Sequence, residues 1–294
     1  MIKILFIINP ISGIGKQKNI ADKIDLSLDK SKFEYRIVFT EYVGHATELA
    51  ADAAKNGTDC IAVIGGDGSI NDVANALTGT KVAMGIIPSG SGNGLARFLK
   101  IPLRISSALK VINAYKTKAI DTIKVSAENF ERIYTSIAGV GFDALVAQKF
   151  AKSKSRGFNS YLEIIASDYP LYETKSYKLI LDDKKEVNTK ALMIGFANSN
   201  QYGYNAAIAP EACIDDGYID ISIVKKVPLV LLPVLSPMLW TNNVNYSSYV
   251  KDYKAKTIRI ISEDKCLNID GEYFEVGEEV LFENIYRSLN VIVP

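Results

Sequence analysis

From Cys60 to Leu77 the chain reads CIAVIGGDGSINDVANAL, and this order of residue types admits few folds. The apolar run Ile61–Ile64 has the length of a buried strand. Gly65-Gly66-Asp67-Gly68 turns the chain, and Ser69 is expected to open a helix carrying Asn71 and Asp72. A strand, a glycine turn and a helix start in succession aim backbone N–H groups outward. Those orphan donors and the helix dipole both favour an anion such as phosphate. The glycines are expected to supply positive φ and to let the backbone approach a ligand. Asp67 is the unusual member. A carboxylate repels phosphate unless a cation lies between them, so Asp67 is read as a water-mediated partner of Mg²⁺ in a nucleotide site.

The rest of the first half repeats the pattern. Lys3–Ile8 is a nearly continuous apolar strand, followed by Asn9-Pro10-Ile11-Ser12-Gly13-Ile14-Gly15-Lys16 and a helix to about Leu28. Phe33–Thr40 is a second strand, and Gly44-His45 leads into an alanine-rich helix, Ala46–Lys55. Lys81–Ile87 is a fourth strand, closed by Pro88-Ser89-Gly90-Ser91-Gly92-Asn93-Gly94 and a helix past Arg97. Strands alternating with helices argue a parallel sheet flanked by helices, with ligands at the carboxyl ends of the strands. Four loops, each rich in glycine or hydroxyls, fall at that edge.

Near Ile120 the pattern changes to short strands separated by turn signals: 120–126, 132–137, 177–182, 191–197, 218–225, 257–262, 279–282 and 290–293. Two helices, about 143–150 and 160–174, interrupt them. This predicts an antiparallel β-sandwich. The fold expected is an α/β nucleotide-binding domain over residues 1–120 and a β-sandwich substrate domain over 121–294.

Composition excludes several classes. The 294 residues are 48% hydrophobic with a net charge of +1, so no strong field draws nucleic acid and no nucleic-acid partner is expected. Cys60, Cys213 and Cys266 have no metal-ligand spacing and are read as reduced core thiols. His45, the sole histidine, fits no metal or triad pattern. The opening MIKILFIINP is too short for a signal peptide. Val227–Trp240 is apolar, but Pro228, Pro233 and Pro237 break it and it is too short to span a membrane. It is expected to cover the sandwich as a buried segment, with membrane contact the second reading. A cytoplasmic protein, at most peripheral at the inner face of the membrane, is expected; the oligomeric state is not legible.

GGDGSINDV, with NPISG before it and PSGSGNGLAR after it, resembles the diacylglycerol kinase catalytic-domain family. That group includes soluble bacterial lipid kinases and is related to the sphingosine and ceramide kinases. The resemblance continues at AGVGFDA (138–144), APEACIDDGYIDI (209–221) and NIDGE (268–272), so it spans nearly the whole chain in order. It implies an α/β domain like that of NAD kinases and phosphofructokinases, a C-terminal β-sandwich, and phosphoryl transfer from ATP with Mg²⁺ to a lipid hydroxyl. The lipid would be a diacylglycerol or a long-chain base. Gly90-Ser91-Gly92-Asn93-Gly94 is closer to the sphingosine and ceramide kinases than to many bacterial members, which leaves the lipid unassigned.

By this resemblance Asn9, Pro10, Ser12, Gly13, Thr40, Gly66, Asp67, Gly68, Ser69, Asn71, Ser91 and Asn93 line the ATP site. Taken singly, Ser69 and Ser91 are equally well read as turn residues or helix caps. Glu272 is the implied general base, with Asp67 the alternative; Asp270-Gly271 is also a strong hairpin signal. The Cys213 carbonyl, the Asp216 carboxylate and the Tyr218 carbonyl are implied ligands of a structural Mg²⁺, where a tight turn is an equal reading. Asp143 either faces the lipid head group or caps the following helix. Asp72 is read as a helix cap or as a residue behind the site that supports it; Lys16 and Arg97 are read as solvated helix residues, with contact to phosphate or an acidic membrane surface the second reading. A NAD kinase and a catalytically silent lipid-binding regulator of the same fold stay open as alternatives. A Rossmann dinucleotide binder does not, because GIGKQKN lacks the glycine spacing.

Overall fold

The computed structural model describes residues 1–12, 19–153, 157–203 and 206–294. The chain forms two compact units: Met1–Thr122 together with Tyr286–Pro294, and Ile123–Ile285.

The first unit contains β1 (Ile2–Ile8), α1 (Ile20–Ser27), β2 (Phe33–Phe39), α2 (His45–Lys55), β3 (Cys60–Gly65), α3 (Asp67–Leu77), β4 (Ala83–Pro88), α4 (Gly94–Phe98) and α5 (Ile105–Ala114). Its strands are parallel in the order β2-β1-β3-β4. Asn290 and Val291, near the C-terminus, extend the sheet beside Ala83 and Met84 of β4, also in parallel. β3 and β4 are buried at every position, and β1 from Ile4 to Ile8. Strands covered on both faces have no polar side, so they read as unbroken apolar runs. After β2 the chain returns past β1 to lay β3 on its other side. Such a switch in strand order opens a crevice at the carboxyl ends of β1 and β3.

β5 (Thr117–Ala127) carries the chain into the second unit. There follow β6 (Phe130–Tyr134), β7 (Ile137–Gly141), α6 (Phe142–Lys152), α7 (Phe158–Asp168), β8 (Lys175–Leu181), β9 (Lys185–Ala191), β10 (Met193–Ala197), the small pair β11 (Gln201–Gly203) and β12 (Ala206–Ala207), β13 (Ile219–Val224), β14 (Val250–Ala255), β15 (Thr257–Ile261), β16 (Cys266–Ile269) and β17 (Glu272–Glu275). β18 (Glu279–Ile292) leads back to the first unit.

Within the second unit, β7, β10, β13, β14, β16 and β17 form one antiparallel sheet, ordered β14-β13-β10-β7-β16-β17. β9, β8, β15 and the first part of β18 pair antiparallel in another, as do β5 and β6. Their apolar faces share a core that includes Val125, Tyr134, Ile194, Phe196, Leu267 and Phe282. Phe196 and Phe282 stack at 4.2 Å, and the Tyr134 hydroxyl donates to the Phe196 carbonyl at 2.9 Å, satisfying the one polar atom of that buried ring.

The α/β and antiparallel sandwich architectures match the expectation. Several details differ. Tyr286–Pro294 belongs with the first unit and not with the sandwich. One long β18 replaces two expected strands, because the polar residues of 283–288, which read as a break, remain in the ladder. Arg287 bends with φ 46°, and its N–H is held by the Asp121 carboxylate at 2.7 Å. β7, β9, β14 and the β16–β17 hairpin have no counterpart among the expected strands. β9 and β14 are edge strands whose charged alternation hides them, and β7 is rich in glycine. Of the cysteines only Cys60 is buried, and burial pushes its thiol well above the usual range; Cys213 is exposed. Val227–Trp240 is not buried; it forms short turns, among them Leu232–Leu235, with no buried residue.

Candidate active site

In the first unit the loops after β1, β3 and β4 are bonded to one another. Asn9 follows β1. Its side-chain amide donates to the Ser69 hydroxyl at 2.9 Å, and its Oδ1 accepts the Ile11 N–H at 3.1 Å. Ser12 closes the turn by donating to the Asn9 carbonyl at 3.0 Å, and the Ser89 hydroxyl donates to the Ser12 carbonyl at 3.4 Å. Thr40 follows β2, half-buried, its N–H donating to the Ile8 carbonyl at 2.9 Å.

Asp67 does not sit in mid-loop. Gly66 is the N-cap of α3 and Asp67 its first helical residue, two residues earlier than the expected start at Ser69. The Asp67 carboxylate accepts the Asn93 N–H at 2.8 Å on one oxygen and the Gly94 N–H at 2.7 Å on the other. It therefore ties the start of α3 to the start of α4. Desolvation raises its pKa above the ordinary carboxylate value, partly offset by those two N–H donors and by the charge of Arg97.

The loop after β4 is closed from within as well. The Asn93 Oδ1 accepts the Gly90 N–H at 3.0 Å, its amide donates to the Gly90 carbonyl at 2.8 Å, and Arg97 Nε donates to the Gly92 carbonyl at 2.9 Å. Arg97 is thus a clamp on the loop, a role its position in a short, largely apolar helix did not announce.

The glycines here do not serve as expected. Gly65, Gly66 and Gly68 all lack positive φ; the left-handed residue is Asn93, at φ 55°. Their use is proximity. A Cβ on Gly90 would lie 2.6 Å from the Gly66 Cα, so the two loop backbones touch only because both residues are glycine.

The remaining candidates are distributed as follows. Ser69 is buried, and Gly68 is partly exposed in the first turn of α3. Asn71 is 1% exposed, its Oδ1 accepting from Asn75 at 2.9 Å, which places it in the packing beneath the loops. Ser91 and Pro10 are exposed. Gly13 and Lys16 lie outside the described residues. Asp72 lies within α3, whose N-cap is Gly66, and its carbonyl accepts the Thr47 hydroxyl at 3.0 Å. His45 begins α2, accepts the Glu41 N–H on Nδ1 at 3.1 Å and stacks on Tyr42 at 4.4 Å.

In the second unit the DGE motif is the turn of the β16–β17 hairpin. Asp270 and Gly271 have φ 48° and 89°, as a two-residue turn of the primed type demands, and Ile269 pairs with Glu272 across it. The Asp270 carboxylate accepts the N–H groups of Thr135, Ser136 and Ile137 at 3.0–3.1 Å. Asn268 Oδ1 accepts the Gly271 N–H at 3.0 Å. Its amide donates to the Asp143 carboxylate at 2.9 Å. Asp143 is not the cap of α6; that position is Gly141, and Asp143 lies in the first turn, 4% exposed. The absent side chain of Gly139 makes room for its carboxylate. Glu272 is exposed and pairs with Arg132 at 3.4 Å, and the Arg132 guanidinium rests on the Phe274 ring at 4.9 Å. Sequence alone singles out neither Asn268 nor Arg132, because the acids they meet, Asp143 and Glu272, lie more than a hundred residues away.

The residues expected around a structural Mg²⁺ make a turn. One Asp216 oxygen accepts the Tyr218 N–H at 3.0 Å and the other meets the Lys254 ammonium at 3.2 Å. The Tyr218 carbonyl accepts the Asn284 amide at 3.3 Å. Cys213 is exposed, its thiol donating to Asp215 at 3.4 Å. Lys254 also pairs with Asp220 at 3.2 Å, yet burial still pushes that carboxyl up to about 6. At this turn Lys254 supplies positive charge to both carboxylates. Among the described residues no cluster of three His, Cys, Asp or Glu could hold a metal.

Residues 3–125 match the family model described as the diacylglycerol kinase catalytic domain, and residues 136–292 match that of the YegS C-terminal NAD kinase beta sandwich-like domain. Diacylglycerol kinases of Staphylococcus saprophyticus and Bacillus subtilis are each 29% identical over 98% of this chain, covering 94% and 95% of their own. One from Mycobacterium tuberculosis is 26% identical over 92% of this chain and 89% of its own. Two solved structures from Bacillus anthracis str. Sterne, both described as diacylglycerol kinases, superpose with TM-scores of 0.79 and 0.74 at 24% and 20% identity, covering 99% of this chain and 97% of theirs.

Proposed function

Because the chain belongs to the family that joins a diacylglycerol kinase catalytic domain to a YegS-type C-terminal β-sandwich domain, we propose that it is an ATP-dependent lipid kinase. It transfers the γ-phosphate of ATP to the hydroxyl of a lipid, a diacylglycerol or a related long-chain alcohol.

One observation carries the reading: the Asp67 carboxylate draws in the Asn93 and Gly94 N–H groups. The loops of β3 and β4 are thereby held together at the edge where a parallel sheet binds ligands. ATP phosphates would lie against the N-terminus of α3, with the Thr40 and Ser91 hydroxyls as further donors and Ser12 holding the turn after β1. Phosphoryl transfer depends chiefly on such positioning and on charge neutralisation. Bound with ATP, Mg²⁺ would supply that neutralisation, and Asp67 suits it as an outer partner through water, on lone pairs its two N–H donors leave open.

The lipid oxygen attacks the γ-phosphorus, the bond to the bridging β–γ oxygen breaks and ADP departs. The hydroxyl proton passes to the Glu272 carboxylate. An ordinary carboxylate is a weak base toward an alcohol, so it accepts the proton late, as the forming ester makes it acidic. The Asp270 turn and the Asp143–Asn268 bond position Glu272; Asp143, being buried, acts through Asn268 rather than on the lipid.

The test is transfer of labelled γ-phosphate from ATP to diacylglycerols, monoacylglycerols, sphingoid bases, ceramides and NAD. Phosphorylation of a lipid hydroxyl is expected. Labelling of NAD alone, or of nothing, would overturn the reading.

A further inference from the structure

The segment Val227–Val250 contains no Asp, Glu, Lys, Arg or His, and Lys225, Lys226 and Lys251 flank it. It joins β13 to β14 in the second unit. An uncharged apolar stretch of this kind normally disappears into a core. Here it lies open: Leu229 is 56% exposed, Val230 81% and Val234 68%, with Trp240 beside them partly exposed. Leu171, which follows α7, is as exposed as Val230, and the Lys226 ammonium donates to the neighbouring Pro170 and Tyr172 carbonyls.

The exposure is not that of a loose loop. The Tyr169 hydroxyl donates to the Val227 carbonyl and accepts the Val227 N–H, both at 2.8 Å. Leu232 packs on the cluster of Phe142, Val146 and Tyr169, and Leu239 on that of Ile137 and Ile208. Pro228, Pro233 and Pro237 begin or enter successive short turns, where a missing N–H costs nothing. Two leucines thus staple the segment down while the residues between and before them are held outward. Holding that much apolar surface in water is unfavourable unless something covers it.

We infer that this strap docks on an anionic lipid surface. Apolar side chains enter the headgroup boundary, the aromatic ring of Trp240 sits at interfacial depth, and the flanking lysines meet lipid phosphates. The absence of carboxylates along the strap is what an anionic surface requires and what a basic protein partner would not select. No helix among the described residues is long and apolar enough to cross a membrane, so the contact is from one side. The docking rests on the strap alone; it would bring the proposed kinase to a lipid that does not leave the bilayer.

The experiment is cosedimentation of the full chain with vesicles that contain no diacylglycerol, so that catalysis plays no part. Vesicles of equal phosphatidylglycerol and phosphatidylcholine should bind the protein, and pure phosphatidylcholine much less. Val230→Asn with Val234→Asn should lower partition onto the anionic vesicles about tenfold or more, without changing the melting temperature. Lys225→Gln with Lys251→Gln should lower it about fivefold or more, the loss disappearing in high salt. Leu26→Asn, an equally exposed apolar change on α1, should have no effect. Equal binding by the asparagine pair and the unaltered protein would overturn the proposal. So would a change from dimer to monomer in that variant with vesicle binding retained, since the strap would then cover a second copy. Should no lipid accept phosphate, the kinase reading fails while the sedimentation result stands.

Discussion

The Asn268 amide donates to the Asp143 carboxylate at 2.9 Å across 125 positions of sequence, and through it two motifs that look independent become one structure. The Asn268 side-chain oxygen accepts the Gly271 N–H, so the same side chain holds both Asp143 and the turn that presents Glu272. Replacing Asp143 by Ala leaves a buried donor unmet. The expected cost is about 1–3 kcal/mol of stability, read from urea unfolding, with kcat reduced more than KM for lipid. Unchanged kcat would mean that the Asp143–Asn268 bond serves the fold alone.

Glu272→Gln keeps the size of the side chain and an acceptor for Arg132 but cannot take a proton. The variant should melt like the unaltered protein and lose about 10²–10⁴-fold in kcat, with ATP affinity preserved. Near-normal turnover would transfer the base role elsewhere.

Asp67→Asn removes the charge that two backbone N–H groups converge on and leaves only one oxygen to meet them. Each such charge-assisted bond contributes about 1.5–3 kcal/mol. The β4 loop should loosen, with ATP binding weakened at least tenfold in calorimetry and kcat falling as well. If ATP bound normally, the clamp would not be part of the nucleotide site.

Gly90→Ala tests contact between loop backbones rather than polarity. Its Cβ would meet the Gly66 Cα at 2.6 Å, a distance that only movement of one loop can relieve. ATP affinity should fall while the stability of the β-sandwich, followed by fluorescence of the single tryptophan at 240, changes little.

If Lys254 serves in place of a metal at Asp216, chelation with EDTA should leave the melting temperature of the isolated protein unchanged. Lys254→Met should lower it, because Asp216 and the buried Asp220 would lose their common cation. Destabilisation by EDTA would restore a structural metal at that turn.

The sequence by itself determined the order of elements in the first unit, the change to antiparallel strands near residue 120, and the motifs. All of these are recorded in local periods and turn chemistry, which neighbouring residues settle among themselves. Cys60–Gly65 reads as a buried strand because both of its faces are covered, and Asp270-Gly271 reads as a hairpin turn because its backbone needs left-handed φ. Only the tertiary structure decided what those motifs do with their polar atoms. Asp67 was legible as an acid in a phosphate loop, but its partners come from another loop, and a hydrogen bond between distant residues leaves no periodic mark. The same holds for Asn268 with Asp143 and for Lys254 with Asp216. It also decided where apolar residues stay uncovered. Hydropathy predicts burial for Leu229–Val234, whereas exposure depends on whether the fold has any surface left to place over them.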